Sequence, residues 1–263
     1  SSLSLSLSLS LSLCVCVCVR ARWREHKYLR LPPERCRSTR NIMDSALAAW
    51  KRLTGQLEAR GGNVQEILFR LYSHPSRRYH NLSHITDCLT ELEEFKSMHP
   101  SYVSSLDIDE ITIAVWFHDA IYDPRAPSNE EDSAHLFEQV SEGMDLSSRE
   151  SIKRMILATK HHHPLSCSSS MLQEQLVLDL DLSILGQSKS KFDEYDEAIR
   201  MEYDWVPEAV YRKKRADVLR GFLQRNRVYF TDYFHEKFDS NARHNLERAI
   251  ASLMATPSAM QSA

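Results

Sequence analysis

Apolar residues recur three and four positions apart along most of this chain. Leu47, Trp50, Leu53 and Leu57 form one such stripe between Ser45 and Gly61-Gly62, and Val64, Ile67, Leu68, Leu71 and Tyr72 form another that opens at Asn63 and stops at His74-Pro75. That spacing places one face of a helix against a core. The basic, aromatic connector Arg77-Arg78-Tyr79 leads into a third predicted helix with Leu82, Ile85, Cys88, Leu89, Leu92 and Phe95 on its buried face and Glu91, Glu93 and Glu94 in water.

Between Asp107 and Ile121 the polar face disappears. The acidic DIDE at 107–110 supplies a cap and first-turn carboxylates, and the run that follows is apolar nearly all round, so a central buried helix is predicted as far as Ile121. Inside it, AVWFHDAIYD at 114–123 places His118 beside Asp119. Burying an imidazole next to a carboxylate is costly unless something pairs them, and a divalent metal does so well.

Asp123-Pro124 breaks that helix, and a loop at 125–128 leads to predicted helices at Asn129 to about Met144 and Ser147 to about Lys160. The serine-rich 166–170 reads as a loop. LVLDLDLSIL alternates with period two like a strand, but it stands between helices with no partner strand, so a helix is predicted over Gln173–Leu185. Further helices are expected from Ser188, from Pro207 to about Tyr229, and over Ser240–Met254. With no solenoid repeat and no dividing linker, 43–255 reads as a single compact all-α domain, followed by a disordered tail at 256–263.

Composition agrees with that class. At 263 residues and 42% hydrophobic the chain can bury a sizeable core, and with only six glycines and nine prolines it favours long helices over a turn-rich sheet. A net charge of −3, with no basic stripe interleaved with aromatics, gives no reason to expect nucleic acid or an anionic membrane as partner.

Residues 2–13 alternate Ser and Leu, 14–19 alternate Cys and Val, and Arg20-Ala21-Arg22 follows. TC, TG and CG dinucleotide repeats translate to these pairs, so 1–42 is read as a disordered extension derived from repeat DNA, with Met43 the expected biological start. A membrane span needs about twenty apolar residues, and the alternating serines dilute this stretch too far for a span or a secretory signal. Of six cysteines only Cys88 and Cys167 lie downstream of Met43, which fits a reducing cytoplasmic setting.

Imidazole and carboxylate donors suited to one divalent ion recur at His80 and His84, His118 and Asp119, His161 to His163, and Asp179 and Asp181. The ordered blocks RRYHNLSHI, WFHDAIYD, ATKHH and LDLDLSILG, spread over about 77–211, resemble the HD superfamily of metal-dependent phosphohydrolases, in particular its small, largely bacterial branch with a Tyr-His-Asn-Leu-x-His signature. The resemblance implies an all-helical fold and one divalent ion (Mn, Mg, Fe, Co, Ni or Zn) held by His84, His118, Asp119 and a distal Asp. Two positions apart on a helix is a rotation of about 200°, so Asp179 and Asp181 cannot both face the ion. Asp181, where the family-like run begins, is the expected ligand, with Asp179 the alternative.

The expected activity is hydrolysis of a phosphate ester or anhydride in a small phosphorylated substrate, a nucleotide being the favoured class, by metal-activated water. Arg77, Arg78 and Lys160 are expected to bind substrate at the mouth, with Arg200 and Arg212 weaker alternatives. His80 is expected to contact a phosphate oxygen or support His84. Asp123, four residues after Asp119 on the same face, is expected to orient water, Glu130 to act as general acid or base, and His162 to stand near the site through Thr159-Lys160-x-His162. A di-iron oxygenase of the same superfamily, recruiting two more histidines from His135 and 161–163, and a non-catalytic metal-binding or scaffold protein are the alternatives.

Overall fold

The computed structural model describes residues 33–55, 58–59, 62–103, 106–165 and 171–255. The expectations for 1–32, for the serine-rich loop at 166–170 and for the tail at 256–263 lie outside the described residues. The chain divides after Cys36, and every described core residue lies within the unit Arg37–Ala263.

Helix α1, Pro33–Thr54, begins upstream of Met43, within the segment expected to be disordered. It ends not at Gly61-Gly62 but at Gly55, whose φ of +74° closes the last turn in a conformation that only glycine adopts without steric cost. Trp50 is fully buried and stacks on Phe117 at 5.7 Å. A two-residue antiparallel pair, β1 Glu58–Ala59 with β2 Gly62–Asn63, leads into α2, Val64–Tyr72. Asn63 caps α2 by accepting from the backbone N–H groups of Gln65 and Glu66.

Helix α3 is Leu82–Met98, capped by Asn81, and the short α4 is Pro100–Val103. Helix α5, Ile108–Phe117, starts where Asp107 accepts from Glu110 N, and every residue from Glu110 to Phe117 is buried, as the apolar run predicted. Around α5 pack α3, α6 (Asn129–Val140), α7 (Leu146–Ala158) and α8 (Met171–Leu182). The ambiguous LVLDLDLSIL is therefore helical. It continues through a 3₁₀ turn, Ser183–Gly186, into α9, Lys189–Glu202, and the bundle closes with α10, Glu208–Leu223, packed on α11, Asp232–Met254. At Gly186 a Cβ would collide with Phe238, so α11 sits directly on that backbone.

Helix ends depart from the sequence reading where distant groups take over the backbone. Helix α5 stops at Phe117 instead of Ile121 because Arg77 takes the carbonyls of Asp119 and Ala120 at 2.6 and 2.7 Å, while Ser133 Oγ binds Ile121 N. Helix α6 stops at Val140, short of Met144, ahead of a turn that needs φ +98° at Gly143. Helix α10 stops at Leu223, not Tyr229, and α11 starts at Asp232, not Ser240, with Thr231 as its cap. Arg243 holds the intervening turn through the carbonyls of Leu223, Arg225 and Asn226. Among the described residues no helix is long and apolar enough to cross a membrane.

Candidate metal centre

Three helices deliver four groups to one point. His84 lies in the first turn of α3 and His118 follows α5 directly as its C-cap. Asp119 is the next residue, in the turn that Arg77 pulls away from the helix axis, and Asp181 comes from the end of α8. His84 Nε2 and His118 Nε2 stand 3.2 Å apart. Asp119 Oδ2 is 3.5 Å from the first and 3.1 Å from the second, and Asp181 Oδ1 is 3.3 and 3.5 Å from the same two nitrogens.

The tautomer of His118 follows from its surroundings. Its Nδ1 lies 2.8 Å from the carbonyl of Val115, which can only accept, so Nδ1 carries a proton and Nε2 is the nitrogen turned to the cluster. Asp119 Oδ2 is buried, and among the described residues its polar neighbours are the Nε2 atoms of His118 and His84. His118 Nε2 faces Asp119 Oδ2 at 3.1 Å: protonated, it pairs with that carboxylate, and deprotonated, its lone pair and the carboxylate oxygen face a common point that suits a cation. Ligands about 2.0–2.1 Å from a tetrahedral ion lie about 3.3–3.4 Å from one another, and the three separations among His84, His118 and Asp119, 3.1–3.5 Å, fit that spacing, so these three could hold a metal ion; Asp181 meets both imidazoles but falls outside that group. The histidine side chains are 2% exposed and those of Asp119 and Asp181 16% and 15%, so the cluster opens on its carboxylate side.

Without a cation the cluster pairs internally. Burial raises the carboxylates of Asp119 and Asp181, but the neighbouring imidazoles, His118 foremost, outweigh it and hold both below the usual range. Burial lowers the pKa of His118, and Asp119 and Asp181 more than reverse that.

Asp179 does not join the cluster. Its Oδ1 accepts from Phe230 N, and its Oδ2 from Thr231 N and Oγ1, each at 2.7 Å, which fixes the entrance to α11. Despite these bonds, burial pushes its pKa up to about 7.

Several expected site residues have other work. Arg77 is buried, and its guanidinium donates to the carbonyls of His80, Asp119 and Ala120, so it shapes the turn that carries Asp119 and is not free to bind substrate as expected. Arg78 is exposed. Lys160 is engaged by Glu131 and by the Pro127 carbonyl. Arg200 pairs with Glu208, and Arg212 binds the carbonyls of Ser252 and Ala255. Asp123, expected on the same helix face as Asp119, lies beyond the end of α5, exposed, with its carboxylate accepting from Arg125 N in a local turn. It does not join the cluster.

Others do converge. Glu130 is half-buried, and burial, assisted by the charge of Asp119, raises its pKa. His162 Nδ1 is 3.8 Å from Asp181 Oδ2, buried and without a hydrogen bond. Its φ of +46° is uncommon for a residue with a Cβ, and burial lowers its pKa. The other histidines considered for a second metal stand apart: His135 contacts Gln139, His163 contacts the Pro164 carbonyl, and His161 is exposed.

Sequence reasoning missed Glu202 and Tyr122. Glu202 Oε1 accepts the backbone N–H groups of Arg78, Tyr79 and His80 at 2.7, 2.8 and 3.0 Å. Its Oε2 lies 2.6 Å from His80 Nδ1 and accepts from Tyr122 Oη at 2.9 Å. His80, stacked on Tyr122 at 4.1 Å, is thereby held with Nδ1 spent on Glu202 and Nε2 left for other partners. As one acid among many on a polar helix, Glu202 carries no sequence signal of its burial.

No family profile, curated protein or solved structure matches this chain.

Proposed function

We propose that this chain is a metal-dependent phosphohydrolase of the HD type, acting on a phosphate ester or anhydride of a small molecule, with nucleotides the favoured class. The observation that carries the reading is the convergence of His84, His118, Asp119 and Asp181, drawn from three separated stretches of chain, to donor separations of 3.1–3.5 Å. A divalent ion held there supplies Lewis acidity, acidifying a water and polarising a phosphoryl oxygen.

The chain's own residues supply the rest. His118 is fixed by the Val115 carbonyl, and Asp119 by the turn that Arg77 clamps, so both ligands are positioned before anything binds. His80, oriented by Glu202, offers Nε2 to a phosphate oxygen. Glu130 is suited to a general acid, since its raised pKa lets it keep or return a proton nearer neutrality than an ordinary glutamate.

A phosphate-release screen over nucleotides and simple phosphomonoesters, with Mn, Mg, Co, Ni and Fe each supplied, tests the reading. Metal-dependent release that disappears in His118→Ala and Asp119→Ala supports it. Release that persists unchanged in the double variant removes the site assignment, and metal uptake without turnover on any substrate leaves a binding protein in its place.

A further inference from the structure

Arg225 lies in the turn between α10 and α11 and has no counter-charge among the described residues. Its backbone is fixed, N–H to the Phe222 carbonyl at 3.2 Å and carbonyl to Arg243 at 2.8 Å. Its guanidinium lies over the Phe222 ring, 4.8 Å from the centroid, and His162 stacks on that same ring at 5.4 Å. Imidazole and guanidinium are therefore within about 10 Å of each other.

Both groups carry an orphan nitrogen. Arg225 Nη1 and His162 Nδ1 are each buried without a hydrogen-bond partner among the described residues. Burial lowers the pKa of Arg225, and no acidic group acts to restore it. A buried donor left unmade costs about 1–3 kcal/mol, more when charged, so a retained one points to a partner that arrives from outside. The other cations near the site contrast with it: Arg77 is spent on carbonyls, Lys160 on Glu131 and Arg200 on Glu208.

An anion would supply both the acceptor and the counter-charge, and a guanidinium fork matches the oxygen edge of a phosphate. We propose that Arg225 and His162 form an anion subsite beside the ligand cluster that takes a phosphate group of the substrate. The proposal rests on the phosphohydrolase reading, and it names Arg225 as the cation that the sequence sought at Arg77, Arg78 and Lys160. Because Asp181 lies 3.8 Å from His162, its charge opposes an anion there until a bound cation offsets it. Phosphate is therefore expected to bind more tightly with metal present.

Calorimetric titration of the full chain with inorganic phosphate, with and without saturating Mn²⁺, tests this. Arg225→Gln is expected to weaken phosphate binding about tenfold or more while leaving Mn²⁺ affinity within about twofold, and Arg225→Lys to recover part of the loss, since it restores charge but not the fork. Should Arg225→Gln fail to fold, Arg225→Lys decides, with binding equal to wild type counting against the subsite. Equal phosphate affinity in wild type and Arg225→Gln, or no phosphate binding by wild type in either condition, overturns the proposal. Failure of wild type to take up Mn²⁺ would instead overturn the phosphohydrolase reading, while the metal-free phosphate titration still decides for or against Arg225.

Discussion

Asp179 and Asp181 lie two positions apart on α8 and face opposite tasks, one receiving three hydrogen bonds from the start of α11 and the other meeting two imidazoles. Helical rotation alone announced that they could not share one ion, and that much was legible in the sequence. The difference is measurable. Asp181→Asn is expected to lose at least about a hundredfold in metal affinity with unfolding free energy within about 1 kcal/mol of wild type, whereas Asp179→Asn, facing donors on both oxygens, is expected to cost about 2–4 kcal/mol and leave the metal affinity of the folded fraction unchanged. Metal titrations paired with urea melts would separate the two.

Glu202 was not legible, because only the folded chain brings the end of α9 against the segment 78–80. Its pKa falls to about 2 from an ordinary 4.5: burial alone would raise it, and the bonds from His80 and from the backbone more than reverse this. A depressed carboxylate contributes stability that is present above 4.5 and is lost as pH falls toward 2, here up to about 3 kcal/mol. His80, raised by Asp119 and Glu202 against burial, contributes in the opposite window: its share is full below 6.5 and fades as pH rises through its raised value. Asp179, raised to about 7, adds stability as pH falls from there toward 3.8. Subtracting Glu202→Gln from wild type in denaturant melts across pH cancels the Asp179 share. The difference is expected to be largest between about 4.5 and 6.5 and to shrink on both sides, and a difference flat with pH would contradict the assignment.

At the scale of elements, interiors were readable and ends were not. The apolar run that marks α5 holds because burial all round needs no particular partner, but its end is set by Arg77, forty residues upstream in the sequence and invisible to local signals. The same holds for α11, whose early start depends on Thr231 as cap and on Asp179, and for the turn before it, which Arg243 secures. Arg77→Lys keeps the charge but cannot span three carbonyls, so it is expected to reduce metal affinity about 10–100-fold through the displaced Asp119 turn. Metal affinity unchanged in that variant would show the turn to be set elsewhere. Gly186→Ala forces Phe238 and α11 outward and is expected to cost about 1–3 kcal/mol in thermal or urea unfolding.

Across the whole molecule, the all-helical architecture was legible because periodic burial is a local property repeated many times. The site belongs to no single segment. His118 and Asp119 declared themselves as polar residues in an apolar run, and the ordered blocks linked them to His84 and Asp181. Arg225 and His162 each reach the Phe222 ring only when α10 is laid beside the turn after α7, and nothing in the spacing of Arg225 sets it apart from the other arginines of that region.

A site formed only in the folded chain couples metal binding to stability. A free-ion concentration about 1,000 times the dissociation constant should stabilise the fold by about 4 kcal/mol, reversed by chelator. Directly beneath that linkage lies the metal content of the full chain, reconstituted with Mn²⁺, freed of unbound ion and measured by elemental analysis beside His118→Ala and Asp181→Asn. One ion per chain in wild type and essentially none in either variant is the expected result. Wild type that retains no ion, or variants that retain as much as wild type, would contradict the assignment of His84, His118, Asp119 and Asp181 as a metal centre.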